Sequence, residues 1–178
     1  WNIYVTANNE DAIYTLSKVK GVEGIKATPL RDYLNTVIHD HDISYYNEAF
    51  SFSKHQECVA HLIRYCQDSI DNEPELMWNR QMKQHLQWII HRYKAKDIAD
   101  DEKEELIQTY DRILETAVEE YKSHPPTKYY REGFNLAKRL KEYRNETLAF
   151  LMSETELEYD NNLSERLLRQ CKRKSKAV

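Results

Sequence analysis

One acidic side chain near the C-terminus stands in a segment otherwise dominated by leucine, arginine and lysine. This residue, Glu165, follows Asn161 and Asn162, either of which can cap a helix by accepting a hydrogen bond from a backbone N–H. Helical spacing places Glu165 on one face with Arg169 and Lys172. Such a carboxylate beside cations suits a divalent metal held against a phosphate backbone. The same spacing also makes a common surface ion pair, worth roughly 0.2–0.5 kcal/mol.

A second acidic site follows a short β-branched run. Val37 and Ile38 fit a buried strand, which places Asp40 at the strand's carboxyl end, where α/β proteins carry their chemistry. Asp40 could instead make an Asx turn in a loop. The neighbouring imidazoles could orient Asp40 or pack against the sheet; they are His39 and His41.

Four stretches occur in a fixed order along nearly the whole chain. They are His39-Asp40-His41-Asp42 with Tyr46-Asn47, His55-Gln56-Glu57-Cys58-Val59-Ala60-His61 with Arg64-Tyr65, Glu73-Pro74-Glu75-Leu76 with Trp78-Asn79-Arg80, and Asp160-Asn161-Asn162 with Glu165-Arg166. Together they resemble the bacterial DDE transposases of the insertion sequence sixty-six type, which have an RNase H-like catalytic core. In that resemblance Asp40 matches the acid after the fourth core strand, and Glu165 matches the acid on the last core helix.

The resemblance implies phosphoryl transfer with two Mg²⁺ or Mn²⁺ ions, because hard cations take carboxylate oxygens. Asp40 and Glu165 would be catalytic residues and metal ligands, and Asp42 is the alternative ligand to Asp40. In the resembling family, water first nicks the transposon end, and the freed 3′ hydroxyl then attacks target DNA. The implied partners are DNA and further copies of the transposase in a synaptic complex. Supporting roles fall to Asn161 and Asn162, and to the pair Cys58 and His61, which could equally be a buried thiol and a core imidazole.

The family's first catalytic aspartate has no match in the chain. It belongs on the first core strand, upstream of Trp1, and the family pattern also continues beyond Val178. The sequence therefore predicts a piece that is incomplete at both ends and inactive alone. The alternative is a non-catalytic DNA-binding or protein-interaction helical module derived from a transposase.

The expected fold is α/β: an RNase H-like mixed sheet that lacks its first strand and carries a large all-helical insertion, with helices dominating overall. Residues 1–72 would be part of the core, 73–153 the insertion, and 154–178 the last core helix with its basic tail. Strands are predicted at Ile3–Thr6, Ala12–Ser17 and Thr36–His39, and a short helix at Pro29–Leu34. The stretch His55–His61 fits a strand or a helix start. Helical periodicity recurs over 76–93, 106–121 and 130–151.

Composition fits a cytoplasmic globular protein. The chain has 178 residues, of which 40% are hydrophobic and 31% charged, with no long apolar stretch or signal peptide. Its three cysteines form no CxxC pair and read as reduced thiols. The net charge is −4, yet the C-terminal segment is basic. Its predicted DNA contacts are Arg166, Arg169, Lys172, Arg173 and Lys174. Trp78 and Trp88 are more typical of core anchors than of base-stacking platforms.

Overall fold

The computed structural model describes residues 1–52 and 54–175, with side chains as far as Arg173. The chain divides into two compact units. The sheet unit comprises Trp1–Glu57 together with the segment that begins at Asp160, and the helical unit comprises Cys58–Tyr159. Helices dominate, as the sequence predicts.

The sheet unit begins with the predicted hairpin. Strands β1 (Asn2–Ala7) and β2 (Ala12–Ser17) pair antiparallel. The side chain of Asn8 holds the turn, since its Oδ1 accepts hydrogen bonds from two backbone N–H groups, those of Glu10 at 2.8 Å and Asp11 at 2.6 Å. Helix α1 (Gly21–Lys26) follows. It has six residues and is too short to show helical periodicity, so sequence analysis missed it.

A second, parallel pair of strands carries the predicted acidic site. A 3₁₀ turn at Pro29–Asp32 lies within the predicted short helix and leads to β3 (Val37–His39), which pairs with β4 (His55–Glu57). The register sets His39 opposite Glu57. The two strands therefore end at the same edge, and the residues that follow β3 lie beside the last residue of β4. A second 3₁₀ turn, Ile43–Tyr46, follows β3.

The helical unit is built from successive α-helices. They are α2 (Val59–Asn72), α3 (Trp78–Lys94), α4 (Asp100–Ser123), α5 (Glu132–Glu142), α6 (Arg144–Thr147) and α7 (Ala149–Met152). The segment 55–61, which the sequence left open, is a strand followed by the start of α2. The prediction of one continuous helical pattern over 130–151 was wrong. The chain leaves helical geometry at Tyr143 and Leu148 and therefore forms three helices.

The core of the helical unit is built from the apolar faces of α2 to α7. Trp78, at the start of α3, is fully buried, which confirms the prediction of a core anchor. The same prediction was wrong for Trp88. Its side chain is 47% exposed, and the Arg92 guanidinium stacks over the indole ring at 5.0 Å from the ring centre.

Buried polar groups tie three helices of this unit together. The Glu73 carboxylate, just after α2, accepts hydrogen bonds from the Ser69 hydroxyl at 3.2 Å and the Tyr121 hydroxyl at 2.8 Å. Burial raises the pKa of Glu73 above its ordinary value. Gly133 of α5 lies against this cluster, because a Cβ built there would stand 2.0 Å from Glu73 Oε2 and 2.6 Å from Ser69 Oγ.

We expect Gly133→Ala to destabilise the helical unit by roughly 2–3 kcal/mol, since the added methyl group must displace hydrogen-bonded buried atoms. Urea unfolding followed by circular dichroism measures the change. Asn135→Ala, at an exposed position of the same helix, is the control and should shift stability by less than about 0.5 kcal/mol. Equal stability of the two variants would contradict the close packing at Gly133.

The C-terminal helix α8 (Asn162–Ser175) belongs to the sheet unit and packs against β1. This confirms the helix predicted from the spacing of its leucines. Among the described residues, every helix is too short or too polar to cross a membrane.

Candidate active site

Asp40 directly follows β3, at the carboxyl end of the strand. The preceding residue, His39, holds its backbone, because Nδ1 of that buried imidazole hydrogen-bonds the Asp40 carbonyl oxygen at 2.7 Å. This contact assigns the ring proton to Nδ1, since a carbonyl can only accept. The Asp42 N–H donates to the same carbonyl, also at 2.7 Å. The backbone that carries the Asp40 carboxylate is therefore fixed from two directions.

The imidazole of His39 is enclosed by aromatic rings and stays neutral. It stacks on Tyr45 with ring centres 4.4 Å apart, and its Nε2 accepts a hydrogen bond from Nδ1 of His55 at 2.9 Å. Burial lowers the pKa of His39 to about 4. At neutral pH the ring thus acts as an uncharged support for Asp40 and adds no positive charge beside it.

The Asp40 side chain is held from α8. Nδ2 of Asn161 donates to Oδ1 of Asp40 at 2.9 Å. The backbone carbonyl of Asn161 also accepts the N–H of Glu165 at 3.2 Å, in the first turn of the helix. The structure therefore brings the elements that carry the two predicted acids together through a single residue.

The prediction that Asn161 or Asn162 caps α8 was wrong. The cap is supplied one position earlier, where Oδ1 of Asp160 accepts the backbone N–H of Asn162 at 3.0 Å. The Asn161 side chain is turned to Asp40 instead, and the Asn162 amide donates to Asp160. Spacing alone could not separate three consecutive residues that all favour cap positions.

Glu165 lies in the first turn of α8, as predicted, and its side chain is 24% exposed. Its Oε2 contacts Nη2 of Arg169 at 3.3 Å, the i,i+4 pair anticipated from the sequence. Within the described residues, Glu165 belongs to no group of three or more potential ligand side chains whose ligand atoms lie within 4.8 Å of one another.

Asp42, the alternative ligand, makes the Asx turn considered for Asp40. Its Oδ1 accepts the Ser44 N–H at 2.9 Å and so caps the 3₁₀ turn at Ile43–Tyr46. The side chain is exposed. Asp42 thus has a local structural role, whereas Asp40 is linked to a distant helix.

A role for Glu57, the carboxylate at the end of β4, was not predicted from the sequence. It is 1% exposed, and its Oε1 accepts from the Tyr46 hydroxyl at 3.0 Å and bonds Nδ1 of His41. A buried carboxylate requires such partners. The sequence signal was a charged residue at the end of a candidate strand, the same pattern that drew attention to Asp40. In the structure Glu57 lies directly opposite His39.

The comparison with protein families decides what kind of protein carries this arrangement. The model of the family described as "Transposase IS66 family" matches residues 2–178. The chain belongs to the IS66 transposase family. No curated protein and no solved structure matches it. Membership implies a role in transposition and DNA as a partner.

Cys58 and His61 lie at the start of α2 in the helical unit of this IS66 family member. Cys58 is 1% exposed and is the residue that immediately precedes the helix, and its carbonyl accepts the His61 N–H at 3.1 Å. The His61 ring stacks on Tyr65 with ring centres 6.2 Å apart. Burial of the thiol agrees with the structural alternative considered for this pair, and its supporting role stays a prediction.

Cations cover the outer face of α8 in this IS66 family member. The side chains of Arg166, Arg169, Lys172 and Arg173 are exposed. Their contacts with DNA remain predictions. The side chain of Lys174, also predicted to contact DNA, lies outside the described residues.

Proposed function

We propose that the chain is part of the catalytic core of a DDE transposase and carries out phosphoryl transfer on DNA with Asp40 and Glu165 as its second and third acids. The observation that carries this proposal is Asn161, which hydrogen-bonds the Asp40 carboxylate and the Glu165 backbone N–H at once. This one residue connects two acids that lie 125 positions apart in sequence (165 − 40).

The donor chemistry suits the divalent ions that DDE enzymes use. Asp40 and Glu165 offer hard carboxylate oxygens, which Mg²⁺ and Mn²⁺ prefer over nitrogen or sulfur. The neutral amide of Asn161 donates a hydrogen bond to the Asp40 carboxylate at 2.9 Å. Ions of this kind held by Asp40 and Glu165 would supply Lewis-acid activation of the attacking oxygen and charge stabilisation of the leaving oxygen. Asp42 remains the alternative ligand, although its Oδ1 caps a turn.

The protein's own groups would orient the DNA. Asp40 is fixed through its backbone by His39 and through its side chain by Asn161, so little reorganisation is needed when substrate arrives. The exposed cations of α8 follow Glu165 along the helix and could neutralise backbone phosphates. The Glu165–Arg169 contact is an exposed pair, which a metal ion or a phosphate can replace at little cost.

An RNase H-like sheet is the proposed architecture of the catalytic core. The antiparallel hairpin and the parallel strand pair are two separate two-stranded sheets of one compact unit, so both kinds of pairing that a mixed sheet combines are present. We propose that the helical unit serves contacts within a synaptic complex, and that the protein works in the cytoplasm.

Removal of divalent metal tests the proposed chemistry. We expect the complete transposase to cleave transposon-end DNA in Mg²⁺ or Mn²⁺ and to lose cleavage in a chelator while it still binds the DNA. Readdition of Mg²⁺ should restore cleavage. Cleavage that persists in the chelator would exclude metal-dependent transfer.

The alternative is a non-catalytic DNA-binding or protein-interaction module derived from a transposase. It is favoured by one observation, the engagement of Glu165 with Arg169 in an ordinary surface pair. In that case DNA binding would persist, and no condition would produce cleavage even with the first aspartate present.

A further inference from the structure

We propose that Asn161 is a positioning residue that sets the orientation of the Asp40 carboxylate for metal binding. This inference rests on the proposed function and assigns a role that the family match does not give. Two contacts define it: Asn161 Nδ2 to Asp40 Oδ1 at 2.9 Å, and Asn161 O to the Glu165 N–H at 3.2 Å.

The polarity of the amide is fixed by its partner. A carboxylate only accepts hydrogen bonds, so the amide must turn its NH₂ group to Asp40. Its oxygen, Oδ1, is then buried and accepts no hydrogen bond from the described residues. A buried acceptor without a partner lowers stability. The amide is therefore oriented by the Asp40 carboxylate rather than by a partner of its own oxygen, which points to a role in holding the carboxylate.

The geometry also explains why one residue can serve two acids. The side chain of Asn161 constrains Oδ1 of Asp40 and, through it, the orientation of the carboxylate that would bind a metal ion. The backbone of Asn161 starts the helical turn that carries Glu165. A shift of Asn161 would therefore change the orientation of Asp40 relative to Glu165. Residues that orient metal ligands in this way typically contribute roughly 10–100-fold to metal affinity.

Asn162 offers a matched control. It is the same residue type in the next position, but it is exposed and its amide donates to Asp160 at 2.7 Å rather than to Asp40. Loss of its side chain tests the general effect of removing an amide at the start of α8.

The experiment measures Mn²⁺ affinity by titration calorimetry, and thermal unfolding, of the complete transposase and its variants without DNA. Asn161→Ala and Asn161→Leu, the second of which keeps the side-chain volume, should each weaken Mn²⁺ binding by about 10-fold. Asn162→Ala should change Mn²⁺ affinity by less than about 2-fold. Asp40→Asn should abolish Mn²⁺ binding at the site proposed for Asp40 and Glu165. In the Asp40→Asn background, Asn161→Ala should have no further effect on Mn²⁺ binding.

The outcomes separate this inference from the proposed function. If the Asn161 variants bind Mn²⁺ as the wild type does while Asp40→Asn does not, the positioning role is wrong and the metal site stands. If they lower the melting temperature but each folded molecule binds Mn²⁺ normally, Asn161 is only a structural tie and the inference is overturned. If Asp40→Asn binds Mn²⁺ as well as the wild type, the metal assignment of Asp40 itself fails.

Discussion

Asp40→Asn should reduce cleavage of transposon-end DNA by the complete transposase by at least about 1,000-fold, a loss of roughly 4 kcal/mol of transition-state stabilisation. The amide has nearly the size of the carboxylate but lacks its charge, so it cannot hold a divalent ion with comparable strength. Single-turnover cleavage in Mg²⁺ measures the rate. Affinity for the same DNA, measured in Ca²⁺ or without metal, should change by less than about 3-fold.

Two further aspartates serve as controls for this prediction. Asp32 is exposed and pairs only loosely with Arg31, at 3.9 Å, so Asp32→Asn should leave cleavage unchanged. Asp42→Asn separates the two candidate ligands, because Asp42 caps a turn whereas Asp40 accepts a hydrogen bond from Asn161. A larger loss from Asp42→Asn than from Asp40→Asn would move the second acid to Asp42.

The second large effect is expected on DNA affinity. Changing Arg169, Lys172 and Arg173 together to Ala should weaken binding to all DNA sequences alike, by roughly 100-fold near 0.2 M salt if each residue neutralises one phosphate. Each neutralised phosphate contributes a slope near −0.9 in log affinity against log salt, so the slope should flatten by about 2–3 units. Salt titrations with fluorescence anisotropy give both quantities.

The single variants divide the roles of these cations. Arg169 contacts Glu165 at 3.3 Å, so Arg169→Ala is expected to change Mn²⁺ binding more than the salt slope. Replacement of three exposed cations elsewhere in the sheet unit, Lys18, Lys20 and Arg31, is the control and should leave the slope unchanged. An unchanged slope in the α8 triple variant would mean that these side chains face solvent and neutralise no DNA phosphate.

Local patterns predicted much of the fold. The hairpin, the strand before Asp40 and the long helices α3 and α4 follow from periodicity and turn residues that act over a few positions. Short elements such as α1 were missed because six residues give no period. The break near Tyr143 was missed because apolar spacing continues across it while the backbone does not.

The candidate site was predictable in its acids but not in its supports. Asp40 and Glu165 stand out as charges after a strand and within a leucine-rich helix. The Asn161–Asp40 hydrogen bond joins residues 121 positions apart, a pairing that no single-sequence period encodes. The burial of Glu57 and the exposure of Trp88 likewise depend on tertiary packing, which overrides the habits of the residue types.

A change of metal preference tests most directly whether Asp40 is a metal ligand in phosphoryl transfer. A thiolate binds Mn²⁺ far better than Mg²⁺, because the softer ligand matches the softer cation. The complete transposase with Asp40→Cys should therefore be inactive in Mg²⁺ and regain DNA cleavage in Mn²⁺, and Glu165→Cys should behave in the same way. Asp32→Cys should show the wild-type metal preference. Cleavage by Asp40→Cys at wild-type rates in Mg²⁺ would contradict the account, because a ligand of the catalytic metal cannot be exchanged for a thiolate without loss.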